Sequence, residues 1–332
     1  MTVDQFIASN HQVWGRLDEL ARRGAGRLTA DEIAELVEHY QRTGTHLSYA
    51  RTSLGEQALV AHLTRLVARA GGVIYGSRPR TLRSAGRFFA DTFPAALWYS
   101  RWFVAVAAAL FLLPAAIFGL WMVSSPRVLD VAAPPELREA YVAEDFVDYY
   151  SNLPSPLFGS MVTTNNIRVG ALAFAGGIGL CLPTAALLVF NGLNLGFAWA
   201  LFAVAGQQGV FWTYILPHGL LEITAIVVAG AAGLRLGWTL VDPGDRPRGT
   251  ALLEEGRRAI VVVLGLALVF AVAGAIEGFV TGSDLPPAVR LAVGVAAEAA
   301  FLGYVVVRGR DAARRGLTGA LGEADTAGWA TR

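Results

Sequence analysis

The stretch Phe211–Gly237, FWTYILPHGLLEITAIVVAGAAGLRLG, decides how the rest of the chain is interpreted. It is apolar enough to lie in a bilayer, yet it contains His218 and Glu222. These two side chains share one helix face because they are four residues apart. A carboxylate in hydrocarbon is unfavourable by several kcal/mol unless it is protonated or partnered. We therefore interpret the stretch as a membrane helix that carries part of a buried polar site.

The composition of the whole chain is that of a helical membrane protein. Of its 332 residues, 54% are hydrophobic and only 16% are charged, and the mean hydropathy is +0.47. The hydrophobic share and the mean hydropathy are above those of ordinary soluble domains, and the charged share is below theirs. The net charge of +1 gives no sign of nucleic-acid binding, and the single cysteine, Cys181, excludes an intrachain disulfide. We predict an all-α polytopic membrane protein, with the lipid bilayer as its surroundings and no nucleic-acid partner.

The chain divides into three regions by composition. Residues 1–100 predict a cytoplasmic helical region, in which Thr2-x-x-Gln5 and Thr29-x-x-Glu32 fit capping boxes. Residues 101–310 predict a transmembrane helical bundle with an acidic extracytoplasmic loop at 124–164. That loop contains a short predicted helix over 135–150, with Pro135 at its first position. Residues 311–332 predict a disordered tail.

Hydropathy places the membrane spans within the bundle region. An Asn191-Gly192 dipeptide predicts a tight turn between the second and third apolar runs, and the third run is short for a span. The predicted runs are 102–123, 169–190, 193–206, 211–237, 259–280 and 288–307.

Charge distribution predicts the topology. Arg78–Arg101, Arg235–Arg258 and Arg308–Arg315 are basic and belong in the cytoplasm, whereas the acidic loop belongs outside. These placements agree only if the short run at 193–206 crosses the membrane. We therefore expect about six spans in the inner (cell) membrane, with both termini in the cytoplasm.

Several polar side chains fall within the predicted spans and form the candidate site. At about 1.5 Å per residue, they lie in the outer half of the bilayer or near its middle. We expect Arg168 to pair with Glu277, and His218 to pair with Glu222 or Glu298. The alternative, which the sequence leaves open, is a set of separate hydrogen bonds that join helices. The candidate residues are Asn165, Asn166, Arg168, His218, Glu222, Glu277 and Glu298.

Small residues favour close helix packing, either within the chain or in a homo-oligomer. The pairs Gly192/Gly196, Gly233/Gly237 and Gly274/Gly278 each have GxxxG spacing.

The chain carries no recognisable catalytic motif, so we expect no enzyme, no catalytic residue and no cofactor. His218 is the one histidine in the membrane region, and HExxH is absent, so we also expect no metal. A P-loop is excluded because the chain has no lysine.

The motifs resemble those of the stage II sporulation protein M family of integral membrane proteins. The resemblance rests on NNIRVGALAFAGGI (165–178), FNGLNLG (190–196), PHGLLEITAIVVAGAAGLRLG (217–237), DPG (242–244) and AGAIEGF (273–279). The first 100 residues, with LVARAGGVIYG (66–76), resemble the longer versions found in bacteria that do not sporulate. The family motif maps onto Asn165, Asn166, Arg168, His218, Gly219, Glu222, Glu277 and Gly278.

The resemblance implies a membrane scaffold that organises envelope-associated partners, such as peptidoglycan-remodelling enzymes. Its partners would be other membrane or envelope proteins, or a second copy of the chain. The alternative is a transporter or channel with a buried His/Glu/Asn/Arg polar site. Convergence of the polar residues on one water-accessible cavity would favour transport, and scattering into separate helix contacts would favour the scaffold.

Overall fold

The computed structural model describes residues 2–24, 27–74, 82–142 and 155–323. The chain consists of two compact units, Met1–Thr81 and Leu82–Arg332. All regular elements in the described ranges are helical, which confirms the predicted all-α class.

The first unit contains three helices, α1 (Val3–Arg23), α2 (Ala30–Tyr49) and α3 (Gln57–Ile74). Both predicted capping boxes are present, at Thr2 and at Thr29. A π-helical turn, Ala50–Leu54, follows α2 and ends at Gly55, which has a left-handed φ of 67°. Apolar side chains from all three helices form one core, including Phe6, Trp14, Leu17, Leu20, Leu36, Leu47, Leu63 and Leu66.

The Thr29 cap gives a measurable prediction. The Glu32 N–H donates to Thr29 Oγ1 over 3.3 Å, and the Thr29 N–H donates to Glu32 Oε2 over 2.8 Å. We expect Thr29→Ala to destabilise the first turn of α2 by about 1 kcal/mol, because one amide loses its acceptor. Hydrogen–deuterium exchange of this turn should then accelerate by about fivefold. Thr45→Ala is the control, since its hydroxyl bonds Gln41 O within the same helix. Equal acceleration in both variants would contradict the capping role.

The second unit begins with two short helices, α4 (Leu82–Arg87) and α5 (Phe93–Tyr99), joined by the π-helical turn Phe88–Thr92. Two short helices, α7 (Pro126–Ala132) and α8 (Pro135–Ala140), follow the first long helix. The long helices are α6 (Arg101–Ser124), α9 (Ser155–Ala175), α10 (Leu182–Val204), α11 (Gln208–Val241), α12 (Arg248–Ile276) and α13 (Pro287–Arg314).

Five of these helices are long and apolar enough to cross a membrane: α6, α10, α11, α13, and α12 with its continuation to Thr281. The 21 residues of α9 extend about 31 Å, which is also a spanning length. The chain is therefore a polytopic helical membrane protein with five candidate spans among the described residues, and a sixth span at α9 stays a prediction.

Helix α11, which contains the whole stretch Phe211–Gly237, lies at the centre of the bundle. In its most apolar 18-residue segment, 72% of the residues are buried inside the protein. The corresponding shares for the other four candidate spans are 6–44%. It packs against α6, α9, α10, α12 and α13. A helix surrounded in this way can position polar side chains away from lipid.

The predicted second and third spans are wrong in their bounds. The chain does not turn at Asn191-Gly192, which lies inside α10. It turns instead after α9, through the 3₁₀ turn Gly176–Gly179 and through Leu180 and Cys181, whose φ angles are 54° and 71°. A glycine-rich run favours such a break because glycine lowers helix propensity. The third span is consequently a full helix of 23 residues.

The GxxxG glycines bring helices of the same chain together. A side chain at Gly192 or Gly196 would overlap the backbone carbonyls of Phe111 or Ala115 in α6. A side chain at Gly233 would lie 2.5 Å from Ala173 O in α9. The Asn-Gly dipeptide therefore marks a helix crossing, where backbone proximity excludes any side chain.

The structure describes only part of the polar segments that flank the bundle helices. Pro135 begins α8 as predicted, but that helix ends at Ala140, and residues 143–154 of the acidic loop lie outside the described residues. The predicted tail from residue 311 begins inside α13, which ends at Arg314. Beyond it, Glu323 Oε2 accepts hydrogen bonds from the backbone amides of Thr318, Gly319 and Ala320, and residues 324–332 are not described.

An ion-pair network joins the C-terminal part of α11 to the start of α12. The Glu255 side chain is 3% exposed and bonds Arg235 Nε and Arg258 Nη1, each over 2.7 Å. Both guanidinium groups also contact the ring of Tyr99, at 3.9 and 4.4 Å from its centroid. This network fixes one end of α11 relative to α5 and α12.

Candidate functional site

The centre of the site is a contact between His218 on α11 and Glu277. His218 Nε2 lies 3.3 Å from Glu277 Oε2, and His218 Nδ1 lies 3.1 Å from Thr281 Oγ1. Glu277 and Thr281 are the ends of a π-helical turn that continues α12. Such turns are frequent at functional sites because they change the direction of side chains along a helix. Here the turn directs two polar side chains toward one imidazole.

A third helix, α9, contributes Asn166. Its side-chain amide Nδ2 donates to Oε2 of Glu222, which lies one helical turn after His218 on α11. Helix α9 approaches α12 closely at Gly274, where any side chain would overlap Thr163 Oγ1. The missing side chain of Gly274 therefore allows α9 to lie near enough for Asn166 to reach Glu222.

The three ionisable groups lie close together and are buried. One donor atom from each of His218, Glu222 and Glu277 lies within 4.8 Å of those from the other two. Their exposed fractions are 3%, 3% and 1%. Glu222 Oε1 and both oxygens of Glu277 make no hydrogen bond within the described residues. Buried polar atoms normally have a hydrogen-bond partner, so these oxygens are acceptors available to a further bound group.

The charge of the cluster follows from its composition. Two ionised carboxylates and one neutral imidazole carry a formal charge of −2. Within the described residues, no arginine pairs with either carboxylate: Arg290 Nη1 instead donates to the backbone oxygen of Thr281 over 2.8 Å. In a low-dielectric interior, such a charge requires a counter-charge or protonation. A bound cation or protonation of the carboxylates would each reduce this charge.

The other predicted site residues lie apart from this cluster. Glu298 Oε1 accepts a hydrogen bond from Thr224 Oγ1 over 2.8 Å, at the interface of α11 and α13. Asn165 and Arg168 are exposed on the outer face of α9. The expected pairing of Arg168 with Glu277 is not found, because Arg168 points away from the helix face that carries Asn166. The expected pairing of His218 with Glu222 or Glu298 is replaced by its contact with Glu277.

Thr281 and Thr224 were not predicted from the sequence. Neither side chain ionises, so a search for charged residues in apolar runs does not select them. The signal for Thr281 was its position four residues after Glu277, on the same helix face.

Comparison with known proteins agrees with the motifs. The family described as Stage II sporulation protein M matches residues 107–282, more than half of the chain, and this range includes the whole cluster. The chain belongs to the stage II sporulation protein M family. The matched segment ends one residue after Thr281, so α9, α11, α12 and the π-helical turn Glu277–Thr281 all lie inside the family region.

Two further comparisons complete the assignment. A family described as Domain of unknown function (DUF8413) matches residues 4–76 of this stage II sporulation protein M family member, close to the bounds of its first unit. An uncharacterised protein of Methanocaldococcus jannaschii is 29% identical over 126 residues, which cover 36% of this chain and 68% of the relative. No solved structure matches the chain.

Proposed function

We propose that this protein binds a cation at the His218/Glu222/Glu277 cluster and transports it across the membrane. The observation that carries the proposal is convergence: helices α9, α11 and α12 each direct polar groups to one buried point. Separate helix-joining hydrogen bonds, the alternative considered from sequence, would not require three ionisable groups to meet, whereas one donor atom from each of the three lies within 4.8 Å of the other two. The proposed role is therefore non-enzymatic.

The burial of the cluster bears on how a cation would reach it. Because these three residues are exposed by 3% or less, we interpret the structure as the closed arrangement of the proposed transporter. Transporters move a substrate by opening a midplane site alternately to each side, with polar groups that lie at helix interruptions. The π-helical turn at Glu277–Thr281 is an interruption of this kind. We propose that rearrangement around this turn opens the site.

The proposed orientation places both termini on the cytoplasmic side of a bacterial-type inner membrane. It follows from the basic residues that flank α6, α11 and α13 and from the acidic segment between α6 and α9. With α9 counted as a span, the connection 242–247 lies on the same side as the termini. His218 then lies nearer the outer end of α11 than Arg235 does.

The test is cation uptake by the full chain in proteoliposomes. Fluorescent reporters inside the vesicles would measure H⁺, Na⁺, Mg²⁺, Mn²⁺ and Zn²⁺ separately. We expect the wild type to transport at least one of them, and Glu277→Gln and His218→Ala to reduce that rate by about tenfold or more. Glu298→Gln is the matched control, a membrane glutamate outside the cluster, and should change the rate by less than about twofold. Rates equal to empty vesicles, or equal losses in Glu277→Gln and Glu298→Gln, would contradict transport.

A second candidate function, a scaffold for envelope proteins, is favoured by a different observation. The outer face of α9 exposes Asn165 and Arg168 beside the apolar side chains of Ile167 and Leu172. A guanidinium facing lipid near the middle of a span costs roughly 2.5–3.5 kcal/mol or more. A partner helix that hydrogen-bonds Arg168 would remove this cost. The same face would also suit a second copy of the chain.

Photocrosslinking in native membranes tests the scaffold candidate. We expect a benzoylphenylalanine in place of Ile167, which is 45% exposed beside Arg168, to crosslink to another polypeptide, identified by mass spectrometry as an envelope protein or a second copy. The same residue in place of Leu268, which is 50% exposed on α12, should give lipid adducts instead. Polypeptide adducts at both positions, or at neither, would count against a specific partner on α9.

A further inference from the structure

We propose that the cation is a divalent transition-metal ion, held by His218 Nε2 and by one oxygen each from Glu222 and Glu277. This inference rests on the proposed function and names the class of its substrate. From the sequence no metal was expected, because only one histidine lies in the membrane region. The fold supplies the missing ligands as carboxylates, one of them from the turn that continues α12.

The donor set selects the class of metal. Alkali ions, Mg²⁺ and Ca²⁺ prefer oxygen ligands alone, whereas an imidazole with carboxylates suits Mn²⁺, Fe²⁺, Co²⁺ and Zn²⁺. Two ligands bound to Zn²⁺ at about 2.0–2.1 Å and at the tetrahedral angle lie roughly 3.3–3.4 Å apart. The distance from His218 Nε2 to Glu277 Oε2 is 3.3 Å. This pair is therefore already spaced as two ligands of one ion.

Two of the ligands have one atom held by a neighbour outside the cluster and another atom that remains for the ion. Thr281 contacts His218 Nδ1, which leaves Nε2 directed toward the carboxylates. Asn166 binds Glu222 Oε2, which leaves Oε1 buried and without a hydrogen-bond partner. Metal ligands are characteristically oriented in this way by outer hydrogen bonds. Glu277 offers two further buried oxygens without hydrogen bonds.

Charge provides an independent argument. A dication with two carboxylates and a neutral imidazole forms a cluster of zero net charge, which is the arrangement of lowest cost in hydrocarbon. A monovalent ion would leave a formal charge of −1 on these three groups, and within the described residues Arg290 bonds the backbone oxygen of Thr281 and makes no ion pair with either carboxylate. Three protein ligands also leave one coordination position open, through which an ion can exchange ligands.

The experiment measures the metal itself on the full chain, purified in detergent with an affinity tag that contains no histidine. After chelator treatment, the protein is equilibrated separately with Mn²⁺, Co²⁺ and Zn²⁺, and bound metal is counted by mass spectrometry. We expect one ion per chain in the wild type. His218→Ala and Glu222→Gln should lower the affinity by about tenfold or more, while Glu298→Gln retains it. Equal binding by the wild type and by both cluster variants would overturn the proposal.

X-ray absorption of the Co²⁺-loaded wild type gives a readout that does not depend on variants folding. We expect one imidazole nitrogen together with oxygen ligands, and a spectrum without imidazole would overturn the assignment. If no transition metal binds while uptake of another cation still depends on Glu277, the metal class is wrong and the transport proposal stands. If metal binds but no cation crosses the vesicle membrane, the site stands and transport is wrong.

Discussion

Replacing Glu255 by alanine is expected to destabilise the membrane bundle by about 3–5 kcal/mol, because two guanidinium groups lose their shared carboxylate. Glu255 is 3% exposed and accepts bonds from Arg235 and Arg258, the second of which is itself 7% exposed. Both arginines contact Tyr99, so the positive charges would remain close together after the substitution. The measurement is the free energy of unfolding of the detergent-solubilised chain.

Glu254→Ala is the matched control for this prediction. Glu254 precedes Glu255 directly, but its side chain is 40% exposed and pairs with Arg246 at the surface over 2.5 Å. Exposed pairs contribute at most about 1 kcal/mol. If Glu254→Ala lowers the free energy of unfolding as much as Glu255→Ala does, burial of the network around Glu255 does not explain the effect.

Gly196→Leu is expected to separate α10 from α6 and to destabilise the bundle by about 3 kcal/mol or more. A Cβ at this position would overlap the carbonyl oxygen of Ala115, and a backbone atom cannot move aside as a flexible side chain can. A Cβ at Gly192, one turn earlier, would overlap Phe111 O in the same way, so α10 and α6 have no alternative crossing position there. Thermal unfolding followed by tryptophan fluorescence would measure the change.

Gly303→Leu tests whether this effect is specific to the crossing. Gly303 lies on α13, and a Cβ added there would meet nothing within 4 Å, so leucine should be tolerated to within about 0.5 kcal/mol. If both substitutions lower the melting temperature equally, the destabilisation comes from the loss of glycine itself. The close contact between Gly196 and α6 is then not its cause.

The helical class and the membrane helix at Phe211–Gly237 could be predicted because they depend on local properties. Hydropathy over about 20 residues identifies a span, and the charge-bearing apolar stretch proved to be the most buried helix among the candidate spans. The capping boxes at Thr2 and Thr29 were also predictable, since each involves residues only three positions apart.

The turn at Gly176–Cys181 could not be predicted with the same rules. The Asn-Gly dipeptide is a turn signal in water, where the chain can bend toward solvent. In the bundle, Gly192 is required at a backbone contact with α6, so the same residue serves packing. Local sequence does not distinguish these two uses of glycine.

The composition of the candidate site was partly predictable, but the pairing within it was not. His218, Glu222, Glu277 and Asn166 were selected as polar residues in apolar runs, and the fold brings these four together. The partners depend on the rotation of each helix about its axis. The π-helical turn at Glu277 changes that rotation for α12, and the rotation of α9 directs Asn166 inward and Arg168 outward.

The most direct test of the central claim is the proximity of Asn166 to Glu222, which places α9 in register with α11. In a Cys181→Ala background, the pair Asn166→Cys and Glu222→Cys would be joined in native membranes by a short thiol-to-thiol crosslinker, which spans the length of an Asn–Glu contact, and linked peptides would be quantified by mass spectrometry. The control pair joins Asn165→Cys, on the exposed face of α9, to Glu222→Cys. The structure predicts efficient linkage of 166 to 222 and little linkage of 165 to 222. The reverse pattern would contradict the convergence of these helices on one site.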